Sequence, residues 1–180
     1  LAVTSPTRGC GATLVAANLA LSFARRPASR AVLLDLDLAQ PALDRVLGLG
    51  DVPPLRDFLL GDQPLESNFL RIGQTLALGL NGLSEPDPAS VLLSPDAALA
   101  LESLVTQLEP EIVIMDMPPA LGGDEVIALR NQIDAVLLVA DGTRTAPEEI
   151  RACERLFKDR IPLLGVVLNR AEDRMPGRRG

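Results

Sequence analysis

The chain has 180 residues, enough for one domain that buries about 70% of its unfolded surface. An apolar content of 47%, with no Trp, no Tyr and 4 Phe, makes its core one of Leu, Val, Ile and Ala. A net charge of -7 with scattered basic residues argues against a broad basic face for nucleic acid, and no apolar run is long enough to span a membrane.

Residues 1–5 read as a first strand and 13–24 as a helix with Thr13 in its first turn. Because Leu1 stands inside that apolar run and is not Met, the sequence reads as a fragment with flanking elements outside it. Residues 31–35 are a continuous apolar run of the kind buried on both faces of a sheet. A helix is expected after Pro41 and another over 54–60, stopped by Gly61. Residues 69–80 supply one or two short strands. A turn-rich stretch, 83–88, precedes helical periodicity across 91–108. Residues 111–116 form a third buried strand ended by Pro118 and Pro119. A helix near 125–131, a strand at 135–140, a helix at 147–157 and a strand at 163–168 complete the alternation. One domain over 1–172 and a frayed polar tail over 173–180 are expected. Alternating strands and helices imply right-handed βαβ crossovers and a parallel sheet flanked by helices, an α/β fold of three αβα layers.

In such sheets the functional edge lies beyond the carboxyl ends of the strands. There the sequence places residues 4–13, Thr-Ser-Pro-Thr-Arg-Gly-Cys-Gly-Ala-Thr. These resemble the phosphate-binding loop G-x-x-x-x-G-K-[ST], with Gly9, Gly11 and Thr13 in place, Pro6 at the first Gly and Ala12 at the Lys. Gly9, Cys10, Gly11, Ala12, Thr13 and Leu14 would cradle phosphate with backbone N–H groups at a helix N-terminus. The alternative is a Gly-rich turn into a helix with no ligand. Thr13 is a candidate Mg²⁺ ligand or an ordinary helix-start Thr. Arg8, the one basic residue inside the loop, replaces some of the missing charge or is simply solvated. Asp35 and Asp37 end the second buried strand and Asp116 the third. Each is a candidate carboxylate for Mg²⁺ or for proton acceptance, or else a turn Asp. Asn169, after the last strand, offers an amide for an adenine edge or is a turn Asn. Cys10, at the helix start, is oxidation-sensitive or a small filler, and with Cys153 it shows no zinc or disulfide spacing and suits a reducing cytosol.

Taken together, the chain resembles the deviant Walker ATPases that include the MinD and ParA proteins. Within them it resembles the bacterial tyrosine kinases of capsular and exopolysaccharide export. Their loop S-P-x-P-G-E-G-K-[ST] is matched by residues 5–13, their I-D-x-D-x-R-x-P by 34–41, and their I-D-T-P-P by 115–119. Their P-x-P-S-E-L-L is echoed by 86–93 and their final G-x-x-L-N by 165–169. The resemblance implies a P-loop NTPase fold, ATP/ADP and Mg²⁺ binding, with Thr13, Asp35 and Asp116 on the metal side. It also implies Asp35, Asp37 and Asp116 as the catalytic carboxylates. A cytoplasmic protein at the inner face of the membrane is expected, acting with a membrane polysaccharide co-polymerase or export protein, compatible with a homo-oligomer and without nucleic acid. Three departures stand out: Ala12 for the Lys, Ala39 for the Arg of the second motif, and no tyrosine. Nucleotide binding with weakened phosphoryl transfer is therefore the expected outcome. An active kinase or ATPase, an ATP-driven positioning switch of the MinD/ParA kind, and a nucleotide-free scaffold are the alternatives.

Overall fold

The computed structural model describes residues 1–171; the expected tail over 173–180 lies outside the described residues. One seven-stranded sheet runs through the molecule. Strand β1 (Ala2–Thr4) leads through the 5–11 loop into helix α1 (Ala12–Ala24), followed by β2 (Ala31–Asp35). Three short helices come next, α2 (Leu43–Val46), α3 (Leu55–Leu59) and α4 (Leu65–Asn68), then strands β3 (Phe69–Ile72) and β4 (Leu76–Gly79). Helices α5 (Pro88–Leu92) and α6 (Pro95–Leu108) precede β5 (Ile112–Asp116). Helix α7 (Glu125–Ala128), a 3₁₀ turn (Arg130–Gln132), β6 (Val136–Asp141), α8 (Pro147–Phe157) and β7 (Leu163–Asn169) complete the chain.

The sheet order is β3-β4-β2-β5-β1-β6-β7, with every neighbouring pair parallel except the β3–β4 hairpin. The expected parallel sheet thus carries one antiparallel edge. Only a short turn at Gly73 separates β3 from β4, too little chain for a crossover. The expected helix over 91–108 is two helices. Ser94 accepts the Ala97 N–H and Pro95 opens α6, so the chain restarts instead of continuing. Helix α4 was not anticipated. Beyond Ala128 the expected helix over 125–131 narrows to the 3₁₀ turn.

Strands β1 and β2 are buried along their whole length, as the unbroken apolar runs require. Two apolar layers cover the sheet. One joins α1 through Ala12, Ala16, Ala17 and Ala20 to Val3, Leu33, Ile114 and Val139. The other joins α3, α6 and α8 to Val32, Leu34, Met115 and Leu138. The fully buried face of α1 is made of alanines, which lets the helix lie close to the strands, with Val15, Leu19 and Phe23 partly buried against the same layer.

Candidate functional site

The 4–13 segment is laced on both limbs. On the outgoing limb the Thr4 hydroxyl donates to Pro118 O at 2.6 Å, and the N–H groups of Ala120 and Leu121 donate to the carbonyls of Ser5 and Pro6. On the incoming limb Asn169 Nδ2 donates to Cys10 O at 2.8 Å and Arg170 Nη1 to Gly9 O at 2.8 Å. Gly9 and Gly11 adopt φ of 86° and 93°, which side-chain-bearing residues rarely take, and a Cβ on Gly11 would collide with the Asn169 amide. Gly11 caps α1 without any side-chain hydrogen bond. The first-turn N–H groups of Ala12, Thr13 and Leu14 therefore point outward with the positive end of the helix.

Asp35 and Asp116 sit side by side, because β2 and β5 are parallel neighbours with these two residues in register. Both are almost fully buried. Asp35 Oδ2 accepts the N–H groups of Ala42 and Leu43 at 3.1 Å each, but its Oδ1 has no partner. Neither carboxylate oxygen of Asp116 has a partner. Burial pushes the Asp35 carboxyl up to about 7, against the pull of the Leu43 and Ala42 hydrogen bonds. Burial, then the Asp35 charge, raises Asp116 well above the usual carboxylate range. The Thr13 hydroxyl approaches Asp116 and offsets part of that rise without completing a hydrogen bond.

Three orphaned carboxylate oxygens beside a hydroxyl and a helix N-terminus fit a divalent cation, which would relieve both acids at once. Among the described residues no three His, Cys, Asp or Glu side chains group as a metal cage. Mg²⁺ keeps waters and takes phosphate oxygens alongside one or two carboxylates, so two acids are enough to hold it. Thr13, Asp35 and Asp116 are the residues that would hold it.

Asp37, whose charge adds to the rise of both acids, has partners of its own. Arg8 grips it in a fork, Nη1 to Oδ2 at 2.7 Å and Nη2 to Oδ1 at 3.3 Å, while the Gln40 N–H reaches Oδ1 at 3.2 Å. Arg8 is thus ion-paired, not simply solvated. Asn169, offered an adenine edge by the sequence, has its amide donor on Cys10 O and its Oδ1 under the Arg170 N–H. Cys10 is a buried filler whose Sγ donates to Thr7 O at 3.2 Å.

A third strand-ending acid, Asp141, was missed. It lies at the end of β6, and the logic that singled out Asp35 and Asp116 would have found it. Its environment is the opposite of theirs. The Thr143 hydroxyl and N–H reach Oδ1 at 2.7 and 2.9 Å, and Arg170 reaches Oδ2 at 2.7 Å. Thr143 first, then Arg170, hold this carboxyl at about 2. Asp141 with Arg170 is an anchor for the loop at Gly9, and no unpartnered oxygen is left for a metal. Arg144, also missed, brings a guanidinium nitrogen to within 3.3 Å of where a Gly9 Cβ would lie. Its place in the tight β6–α8 turn gave no sequence signal.

Over residues 1–177 the chain matches the family model ParA, described as NUBPL iron-transfer P-loop NTPase. It is 30% identical over 169 residues to the putative tyrosine-protein kinase EpsB of Ralstonia nicotianae, across 93% of this chain but 22% of that protein. It is also 30% identical over 170 residues to the tyrosine-protein kinase YwqD of Bacillus subtilis, across 93% of this chain and 70% of the relative. An iron-sulfur cluster carrier protein of Pseudomonas fragi is 30% identical, across 95% and 60%. The chain therefore spans about a fifth of EpsB and under two thirds of the carrier. Among solved structures, the kinase domain of VpsO superposes with a TM-score of 0.85 at 29% identity, covering 95% of this chain and 84% of that one. The septum site-determining protein MinD of Pyrococcus horikoshii, solved with Mg-ADP, shares the fold at a TM-score of 0.73 and 21% identity, covering 93% and 68%.

Proposed function

Because the chain belongs to the ParA family of P-loop NTPases, we propose that it binds Mg²⁺·ATP and Mg²⁺·ADP at this edge and acts as a kinase-like module with weakened phosphoryl transfer. In this reading the backbone of residues 8–14 surrounds the phosphates, Arg8 adds a cation, and Asn169 keeps the loop open to them by bracing Cys10. Bound Mg²⁺ would polarise the phosphate oxygens. Asp35 and Asp116 would hold it, and Asp37 would accept the proton of an incoming hydroxyl. Ala12 leaves the loop without an ammonium, and removing one preorganised donor costs such chemistry about 10²–10³ in rate. Binding suffers less, since the amides, the helix dipole and the metal remain.

The observation that carries the reading is the orphaned Asp35–Asp116 pair beside Thr13 at the start of α1. We propose that the module regulates polysaccharide polymerisation and export with a membrane partner, on the cytoplasmic side. Among the described residues no helix is long and apolar enough to cross a membrane. With no tyrosine in these 180 residues, any phosphate acceptor of that kind lies outside them. An iron-transfer role has less support, since both cysteines are buried.

Titration calorimetry with Mg·ATP and Mg·ADP tests binding, and transfer to a tyrosine peptide tests chemistry. Micromolar affinity with little or no transfer is expected. Robust transfer abolished by Asp37→Asn would instead establish a competent kinase, and no binding at millimolar nucleotide would leave only a scaffold.

A further inference from the structure

Arg8 sits on the loop between Thr7 and Gly9 and reaches across to the acidic side of the edge. Its fork takes both oxygens of Asp37, and the Gln40 N–H takes one of them again. The Asp37 side chain is 13% exposed and that of Arg8 is 45% exposed. The pair lines a cleft of about 310 Å³ together with Leu36, Leu38, Pro119, Leu121 and Glu125. In this arrangement the residue suited to accept a proton is held by a cation, and the cation suited to a phosphate is held by an acid.

We infer that Arg8 is a phosphate-operated latch on Asp37. With the loop empty, the guanidinium holds Asp37 at the wall of the cleft. A terminal phosphate arriving beside Asp35 and Asp116 draws the guanidinium to itself, and Asp37 is left with an oxygen facing the cleft. This rests on the nucleotide reading above.

The physical terms favour the exchange. A guanidinium fork matches phosphate oxygens as well as carboxylate oxygens. A terminal phosphate carries close to two charges at neutral pH where Asp37 carries one. The guanidinium end of the pair is 45% exposed, and Asp37 keeps the Gln40 N–H when Arg8 leaves. No ammonium at position 12 competes for the phosphate. Arg170 is tied to the loop itself as well as to an acid, so its departure would cut the tether at Gly9 O, whereas among the described residues Arg8 holds only Asp37. Arg144 flanks Gly9 and makes no ion pair with Asp37, which makes it the internal control.

The test is calorimetry on the 180-residue chain with Mg·ADP and with Mg·AMP-PNP, for the native protein, Arg8→Gln, Asp37→Asn and the double variant. Asp37→Asn should tighten AMP-PNP about 10-fold by releasing Arg8, and ADP less than about twofold. Arg8→Gln should weaken AMP-PNP about 10-fold, and in its background the gain from Asp37→Asn should vanish. Arg8→Lys, which keeps the charge without the fork, should fall between. Arg144→Gln should leave the Asp37→Asn gain intact. Equal tightening with and without Arg8 would mean simple relief of charge repulsion and would overturn the latch while leaving nucleotide binding standing. The same holds for equal effects on ADP and AMP-PNP. If the native chain melts cooperatively yet binds neither nucleotide, the nucleotide reading fails and the latch with it.

Discussion

Replacing Asp35 by Asn keeps the shape of the side chain and removes its charge. A carboxyl titrating near 7 when folded and near 3.8 when unfolded binds its proton more tightly in the native state. Its contribution to stability is therefore complete below pH 4 and is lost as pH rises through 7. The loss amounts to about 4 kcal/mol at 1.36 kcal/mol per pH unit. Asn loses nothing over that range, its Oδ1 can still accept the Ala42 and Leu43 N–H groups, and Asp116 is relieved of its nearest like charge. At pH 5 the two proteins should melt within a few degrees of each other. At pH 8 the variant should be more stable by about 2–4 kcal/mol, or roughly 4–16 °C for a domain of this size. The assay is a pair of urea or thermal melts at each pH, repeated with Mg·ADP. Saturating ligand at 100 times its dissociation constant adds about 2.7 kcal/mol to the native protein and should add far less to the variant. An Asn variant equally stabilised at both pH values, or destabilised at pH 8, would refute the orphaned-carboxylate account. Function and stability oppose each other at this pair, as expected where an acid is kept ready for a cation.

Other outcomes follow from the same geometry. Ala12→Lys should raise ATP turnover by about 10²-fold if the rest of the edge is intact, and an unchanged rate in a colorimetric phosphate assay would count against the site. Gly11→Ala should cost about 2 kcal/mol or more, from the positive φ and the crowding against Asn169, seen as a lower urea midpoint. Asn169→Ala should lose about 1 kcal/mol with the Cys10 bond and leave the preference for ATP over GTP unchanged; a changed preference would show that the amide reads the base after all. Arg170→Met should lower the melting temperature at neutral pH and narrow that gap toward pH 2, where Asp141 takes up its proton.

The layered α/β fold was legible because β2, β5 and β6 are unbroken aliphatic runs, and a run buried on both faces leaves few alternatives to a central strand. Asp35 and Asp116 were legible for the same reason, each an acid closing such a run. Their pairing required the register of β2 against β5, which no local pattern carries. The β3–β4 hairpin was harder, since Phe69–Ile72 is half-exposed and its direction depends only on a turn at Gly73. The break before Pro95 was visible as Ser-Pro, yet helical spacing on both sides hid it. Arg8 illustrates the limit most clearly. Whether a half-exposed guanidinium meets water or Asp37, 29 residues away, is decided by tertiary approach and not by its neighbours in sequence.

Within this domain the phosphate-loop segment comes long before the strand that fixes it. Its carbonyls at Gly9 and Cys10 are tied to Arg170 and Asn169, across separations of 161 and 159 residues. The glycines lack those tethers until β7 has docked at the edge of the sheet. A chain ending before residue 169 would keep the ties of the outgoing limb to Pro118, Ala120 and Leu121 and lose those at Gly9 and Cys10. The shape of the loop is thus a property of the whole sheet and not of the segment that carries the glycines.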